Sequence, residues 1–252
     1  MKLRGLLLLS SLSLVACAGQ TYQADVGVMA LRARGDVSLQ NSAQQPLAPA
    51  NSVKNQLDQG DGQYVPYLRL RTDSERHRIQ LHGFGYNSKG TGQLTNDYGD
   101  LVAGTPVNTS SEFYAISANY GYEVLRTELY RVAVGAELGY YALDVAARRV
   151  SDGFRESVET SVLVPMPFVE GELFFDTLSI GANLGIMSAD LGDANGRYWD
   201  FDSWARWQFD DRFDVMAGYR YLLLDGFGRA SDRDFDADVD VQGIYLTAGI
   251  KF

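Results

Sequence analysis

The chain has 252 residues, of which 46% are hydrophobic, and a formal net charge of −10. This length suits one large domain or two small ones, and the acidic balance argues against a nucleic acid as partner. Cys17 is the single cysteine, so no disulfide can form within the chain.

The N-terminal residues have the pattern of a secretory signal peptide. MKLR gives a basic start, GLLLLSSLSLV is an apolar stretch too short to span a bilayer as a helix, and ACAG supplies small residues. The segment LVAC resembles a bacterial lipobox, in which Cys17 would be acylated and become the first mature residue. Ordinary cleavage after residue 18 is the alternative. We therefore expect a signal peptide over 1–16 and one exported domain over 17–252.

Ten segments with alternating residue character predict β-strands after the signal peptide. They span 22–35, 62–72, 77–88, 112–125, 129–148, 158–175, 178–189, 197–209, 212–224 and 241–252. The connections alternate between long ones and short turns such as DT, and no later run approaches the ~18 apolar residues of a spanning helix. Short turns at one end and long loops at the other are typical of β-barrels that span a membrane.

Several predicted strands have one face suited to lipid. In RYWDFDSWARWQF, Trp199 and Phe201 lie at one end of a face and Trp207 and Phe209 at the other, with small residues between them. Ten residues tilted by about 40° cover roughly 25 Å, the height of the apolar band of such a barrel. We therefore expect an all-β, transmembrane, up-and-down antiparallel barrel of about ten strands. Eight or twelve strands are alternatives, because the first and third segments alternate weakly.

The C-terminal segment GIYLTAGIKF places Leu246, Ile250 and Phe252 on one apolar face. Together with the alternating segments before it, this ending resembles that of small bacterial outer-membrane β-barrel proteins, whose members include many uncharacterised ones. The resemblance covers essentially the whole mature chain. It implies an outer-membrane protein among outer-membrane lipids, with Leu246, Ile250 and Phe252 forming the signal read by the barrel assembly machinery. An even strand number implies periplasmic termini and extracellular long loops.

The face opposite the lipid-facing side chains is polar in several strands. A ten-stranded lumen lies near the size that side chains fill, and an unpaired charge there would be unfavourable. We therefore predict a network of ion pairs across the lumen, with a hydrated pore for small solutes as the alternative. The predicted network consists of Arg69, Arg71, Arg131, Glu137, Glu170, Glu172, Asp200, Asp202, Arg206 and Arg220.

Two prolines interrupt the predicted strand 158–175. Pro165 and Pro167 lie two residues apart, so the N–H groups that they lack would both face the same neighbouring strand. Their position in the strand is near the outer leaflet. One interpretation is a lateral opening through which a lipid or hydrophobic solute enters the barrel wall. The other is a bulge or kink above the bilayer.

Residues for catalysis or metal binding are sparse. His77 lies in a short turn and His82 faces the lumen, and neither has an assignable serine or aspartate partner. We expect no metal site and no cofactor, because the histidines do not cluster. The alternating aspartates of SDRDFDADVD form a row, which is a poor calcium cage, so we expect a solvated strand extension, with calcium binding as the less favoured alternative. Its carboxylates could associate with outer-leaflet phosphates through divalent ions. A bulge at Gly243 would re-aim these aspartates.

These patterns favour a non-enzymatic outer-membrane protein of structural or surface-interaction type. Its loops at 36–61, 89–111 and 225–240 would carry its interactions. The first alternative is a narrow pore or lateral-diffusion route for small or hydrophobic solutes. The second, less favoured, is a membrane-embedded enzyme that acts on lipid or peptide.

Overall fold

The computed structural model describes residues 20–58, 62–190, 195–230 and 232–252. The predicted signal peptide, Cys17 and the alternative cleavage site lie outside these residues. Within them, no helix is long and apolar enough to cross a membrane.

The described residues form ten long strands and one two-residue strand. These are β1 (Gln20–Leu39), β2 (Asn51–Ser52), β3 (Gln63–Ser74), β4 (His77–Gln93), β5 (Pro106–Arg126), β6 (Tyr130–Arg149), β7 (Arg155–Phe175), β8 (Leu178–Asp190), β9 (Asn195–Gln208), β10 (Phe213–Ala230) and β11 (Arg233–Lys251). Consecutive long strands pair antiparallel, and β11 pairs with β1, so the sheet closes into a ring. The predicted ten-stranded antiparallel barrel is confirmed, including the two strands whose alternation is weak.

Burial alternates along the strands, so each strand has an inner and an outer face. The outer face carries large apolar side chains all around the ring; Trp207 is 59% exposed and Ile244 is 66% exposed. A continuous apolar outer surface of this kind is far larger than the patches on soluble monomers. The barrel therefore needs an apolar surrounding.

The strands extend further toward the long-loop end than the sequence predicted. β10 runs to Ala230 and β11 begins at Arg233, so the predicted loop 225–240 is mostly a hairpin. Phe235, Ala237 and Val239 are buried on its inner face. This packing outweighs the low strand propensity of the aspartates between them. The predicted loops 36–61 and 89–111 likewise begin or end as strand.

The prediction of a bulge at Gly243 is wrong. β11 keeps an unbroken register with both β1 and β10 through this residue. Asp236 and Asp238 therefore face outward in the same phase as Ile244. These two side chains do not have to turn inward. The residues beside them on β10, and next to those on β9, lie beyond the level of Trp199, at the long-loop end of the barrel.

Hydrogen bonds join the connections 40–50 and 94–105 and the short strand β2 between them. The buried Asn51 accepts hydrogen bonds at its Oδ1 from the backbone nitrogens of Thr95 and Asn96, each at 3.1 Å. Ser42 donates to Asp100 from its backbone nitrogen (2.8 Å) and its Oγ (3.0 Å). These hydrogen bonds hold the pKa of Asp100 below its usual range. The two connections thus hold each other in place at the long-loop end of the barrel.

Candidate functional site

Ion pairs link the strands inside the lumen at the short-turn end of the barrel. Arg78 pairs with Glu170, and Arg131 pairs with Glu172 and lies 3.0 Å from Glu170. All four side chains are buried. Because each charge has an opposite charge as neighbour, this layer is compensated electrostatically. It also lines a polar cavity of about 270 Å³ at this end of the barrel.

A second layer of charges lies at mid-height. Arg69 on β3 pairs across the lumen with Asp202 on β9, and its guanidinium lies 5.5 Å from the ring of Trp204. Arg220 on β10 pairs with Asp200 on the adjacent β9. Ion pairing and cation–π contact both favour keeping these guanidinium groups inside the barrel.

All ten charged residues predicted for the lumen lie on the inner face. Nine of them form ion pairs; the exception is Glu137, whose Oε2 accepts a hydrogen bond from Asn119 at 3.3 Å. Several ion-pair partners of these residues were not predicted, although they also lie on the inward-facing positions of their strands. The missed partners are Asp25, Asp73, Arg78, Glu123 and Asp214.

The mid-height layer also brings a histidine and two carboxylates together. His82 on β4, Glu137 on β6 and Asp200 on β9 each offer a ligand atom within 4.8 Å of the other two. All three residues are buried. This cluster could not be recognised in the sequence, because its donors come from strands far apart in the chain.

An apolar cavity of about 500 Å³ lies in the lumen toward the long-loop end. Its lining is mainly aliphatic and aromatic and includes Phe113, Leu143, Met187, Leu224, Phe235 and Val239. Tyr141 also lines it, and its hydroxyl lies 3.4 Å from Asp200 Oδ2. Tyr141 therefore connects the lower end of the cavity to the mid-height charge layer. A volume of this size is typical of pockets for small molecules.

The barrel wall beside the cavity contains a break between β7 and β8. Their pairing runs from the short turn up to Phe168 and Gly185 and ends there. Both strands continue, with β7 paired to β6 and β8 paired to β9. Pro165 on one edge of the break and Met187 on the other both line the cavity. The interrupted ladder therefore borders the cavity directly.

The two prolines lie on the β7 edge of this break. The backbone nitrogen of Phe174 donates toward β6, to the carbonyl of Leu129, and the β6–β7 register is unbroken from there through Pro165 and Pro167. Even-numbered residues of β7 thus face β6, and the donors that the prolines lack are those that would face β8. An unpaired N–H in lipid is strongly unfavourable, so prolines suit a strand edge that has no partner.

No protein-family model matches the chain, and no curated protein matches it. Solved structures do match. The outer membrane protease OmpT from Escherichia coli superposes with a TM-score of 0.58 at 11% identity, covering 93% of this chain and 97% of that chain. The fold is that of an outer-membrane β-barrel. Ail from Yersinia pestis (TM-score 0.41, 12% identity, 92% and 99% covered) and a Pseudomonas aeruginosa FadL homologue (0.39, 10%, 93% and 90%) also match.

In an outer-membrane β-barrel the apolar outer surface faces lipid. The C-terminal residues Leu246, Ile250 and Phe252 belong to this surface. The backbones of Phe252 and Tyr22 exchange two hydrogen bonds, of 3.0 and 2.9 Å, and their rings stack with centroids 6.0 Å apart. The end of β11 is thus held at the seam that closes the ring. Its recognition by the assembly machinery stays a prediction.

Proposed function

We propose that this outer-membrane β-barrel binds a hydrophobic molecule in its apolar cavity and exchanges it with the outer leaflet through the β7–β8 break. The observation that carries the proposal is that both edges of an interrupted strand ladder line an apolar cavity. The occupant would be a molecule with an acyl or hydrocarbon part. In this proposal the long-loop end is extracellular and both termini are periplasmic.

The height of the break supports exchange with lipid. Between Phe175 at the short turn and Pro167, β7 rises roughly 20 Å, at ~3.3 Å per residue and a tilt of about 40°. The apolar band of such a barrel is about 25 Å tall. The lower end of the break therefore falls in the part of the band that the outer leaflet covers.

The charge layers argue against a continuous water-filled pore. Arg69 and Asp202 cross the lumen below the cavity, and the Arg78–Glu170–Arg131 cluster lies below them. Opening a passage would separate buried ion pairs, which is strongly unfavourable. A cavity above two layers of buried ion pairs, with a gap in its side wall, fits lateral exchange better than conduction.

The energetics of burial also fit such exchange. Moving an apolar molecule from water into the cavity gains about 0.8 kcal/mol per buried CH₂ group. Moving it on into lipid changes little, because lipid tails are as apolar as aliphatic side chains. The cavity would therefore be an intermediate binding site between the aqueous medium and the outer leaflet. The absence of enzymatic activity stays a prediction.

Spin-labelled stearate in nanodiscs that contain the barrel tests this proposal. Gly226 lines the cavity, and a Cβ added there would meet its nearest atoms at 3.7 and 3.8 Å, so Gly226→Leu fills cavity space without a backbone clash. The matched control is Gly171→Leu on the outer face, where an added Cβ meets nothing within 4 Å.

We expect an immobilised spin-label component in the wild type and in Gly171→Leu, and a several-fold smaller one in Gly226→Leu. The cavity provides this component in our proposal, whereas label at the outer surface is common to all three proteins. Equal immobilised fractions in all three would contradict the proposal.

A further inference from the structure

We propose that His82, Glu137 and Asp200 form a binding site for a divalent transition metal ion such as zinc. Their ligand atoms lie within 4.8 Å of one another at mid-height in the lumen. Within the described part of the chain, the buried atoms His82 Nε2, Glu137 Oε1 and Asp200 Oδ1 have no hydrogen-bond partner. Buried polar atoms are rarely left unpaired, and one ion would satisfy all three.

The charges of this layer leave room for a cation. Arg69 pairs with Asp202, and Arg220 pairs with Asp200 through Oδ2, so Asp200 Oδ1 stays available. Glu137 has no cationic partner among the described residues. With all three carboxylates ionised, the layer carries one surplus negative charge, and a buried unpaired charge is unfavourable. Either a bound cation or a proton shared by the carboxylates would relieve it.

The donor set selects the kind of ion. Zinc binds both imidazole nitrogens and carboxylate oxygens, and three protein ligands leave a fourth position for water or another ligand. Calcium and magnesium prefer oxygen ligands alone, so the His82 imidazole favours a transition metal. Ligand atoms on one zinc ion lie about 3.3 Å apart. Binding would therefore draw the three side chains together from the 4.8 Å within which their ligand atoms now lie.

Gln80 provides the support that a metal-binding histidine needs. The amide nitrogen of its side chain, Nε2, lies 3.4 Å from His82 Nδ1, and a half-turn of the amide places its oxygen there instead. With the amide oxygen turned toward the ring, Nδ1 keeps its proton and Nε2 presents its lone pair to the cluster. A hydrogen bond of this kind on the second ring nitrogen is usual for metal-bound histidines.

Zinc retention by the untagged barrel, refolded in detergent micelles, tests the site. Each protein is loaded with zinc, desalted and analysed by atomic emission, and its fold is checked by heat-modifiable gel mobility. We expect about one equivalent in the wild type and in His77→Asn, which changes the other histidine, at the exposed start of β4. We expect at least tenfold less in His82→Asn and Glu137→Gln.

Gln80→Leu gives a second measurement that removes no ligand. We expect it to weaken zinc binding by about 10–100-fold while the barrel stays folded. A folded wild type that retains no zinc would overturn the proposal. Retention in folded His82→Asn equal to that of the wild type would overturn it as well, and the shared proton would then balance the carboxylates.

Discussion

Phe168 pairs with Gly185, and this is the last pair between β7 and β8. If the register continued, Pro167 would face Ile186 and Pro165 would face Ser188. The ladder instead ends where β7 has lost two consecutive donors toward its neighbour. The two prolines thus account for the position of the break, and the cavity behind it suggests its use.

The β8 edge of the break should show a residue-by-residue pattern of amide exchange. The hydrogen bond from Gln208 N to Thr177 O sets which β8 residues face β9, and the register is unbroken along the strand. The amides of Ile186 and Ser188 therefore face the break, whereas that of Met187 faces β9. In NMR hydrogen exchange, Ile186 and Ser188 should exchange faster than Met187 and the paired Leu184. Equal protection of all four would show that the ladder is closed in solution.

Restoring the two missing donors should slow exchange through the wall. In Pro165→Thr/Pro167→Thr, two new N–H groups face β8 and can extend the ladder by two hydrogen-bonded positions. Stopped-flow entry of spin-labelled stearate should slow several-fold, with an unchanged final bound fraction because the cavity is intact. Pro106→Thr, at the start of β5, is the control, and spin-labelled stearate should enter this variant at the wild-type rate. An unchanged entry rate despite newly protected Ile186 would exclude the break as the route.

The charge layer at the short-turn end should be important for stability. Glu170→Ala removes the acceptor that Arg78 and Arg131 share, so each guanidinium group loses one of its carboxylate partners and the buried layer loses one negative charge. Breaking buried ion pairs in this way typically lowers the free energy of unfolding by about 3–5 kcal/mol. Glu128→Ala, in an exposed short turn, should change it by less than about 0.5 kcal/mol. Urea unfolding in micelles measures both, and similar values for the two variants would refute a structural role of the network.

Much of the barrel could be predicted from the sequence, because alternation with a period of two assigns each residue to lipid or lumen without knowledge of the register. Trp207, Arg69 and Arg220 are examples. The two prolines were also recognisable, since a missing donor is a property of the residue itself. Which neighbour lacks the hydrogen bond depends on the register, and only the structure gives it.

The cavity and the histidine–carboxylate cluster could not be predicted in the same way. The aspartates of 231–240 indicated a loop, although Phe235 and Val239 between them alternate as an inward face and line the cavity. His82, Glu137 and Asp200 meet because the ring closes, and their spacing in the chain does not reflect this. Contacts across a lumen depend on strand number and stagger, which alternation does not determine.

Photolabelling of the lumen from the lipid phase tests the central claim most directly. The barrel is placed in nanodiscs that contain a diazirine-labelled fatty acid, illuminated, and analysed by mass spectrometry for the labelled residues. We predict adducts on the cavity-lining Leu143 and Val239, and their loss in Gly226→Leu but not in Gly171→Leu. Adducts confined to outward-facing residues such as Leu138 would contradict lateral access to the cavity.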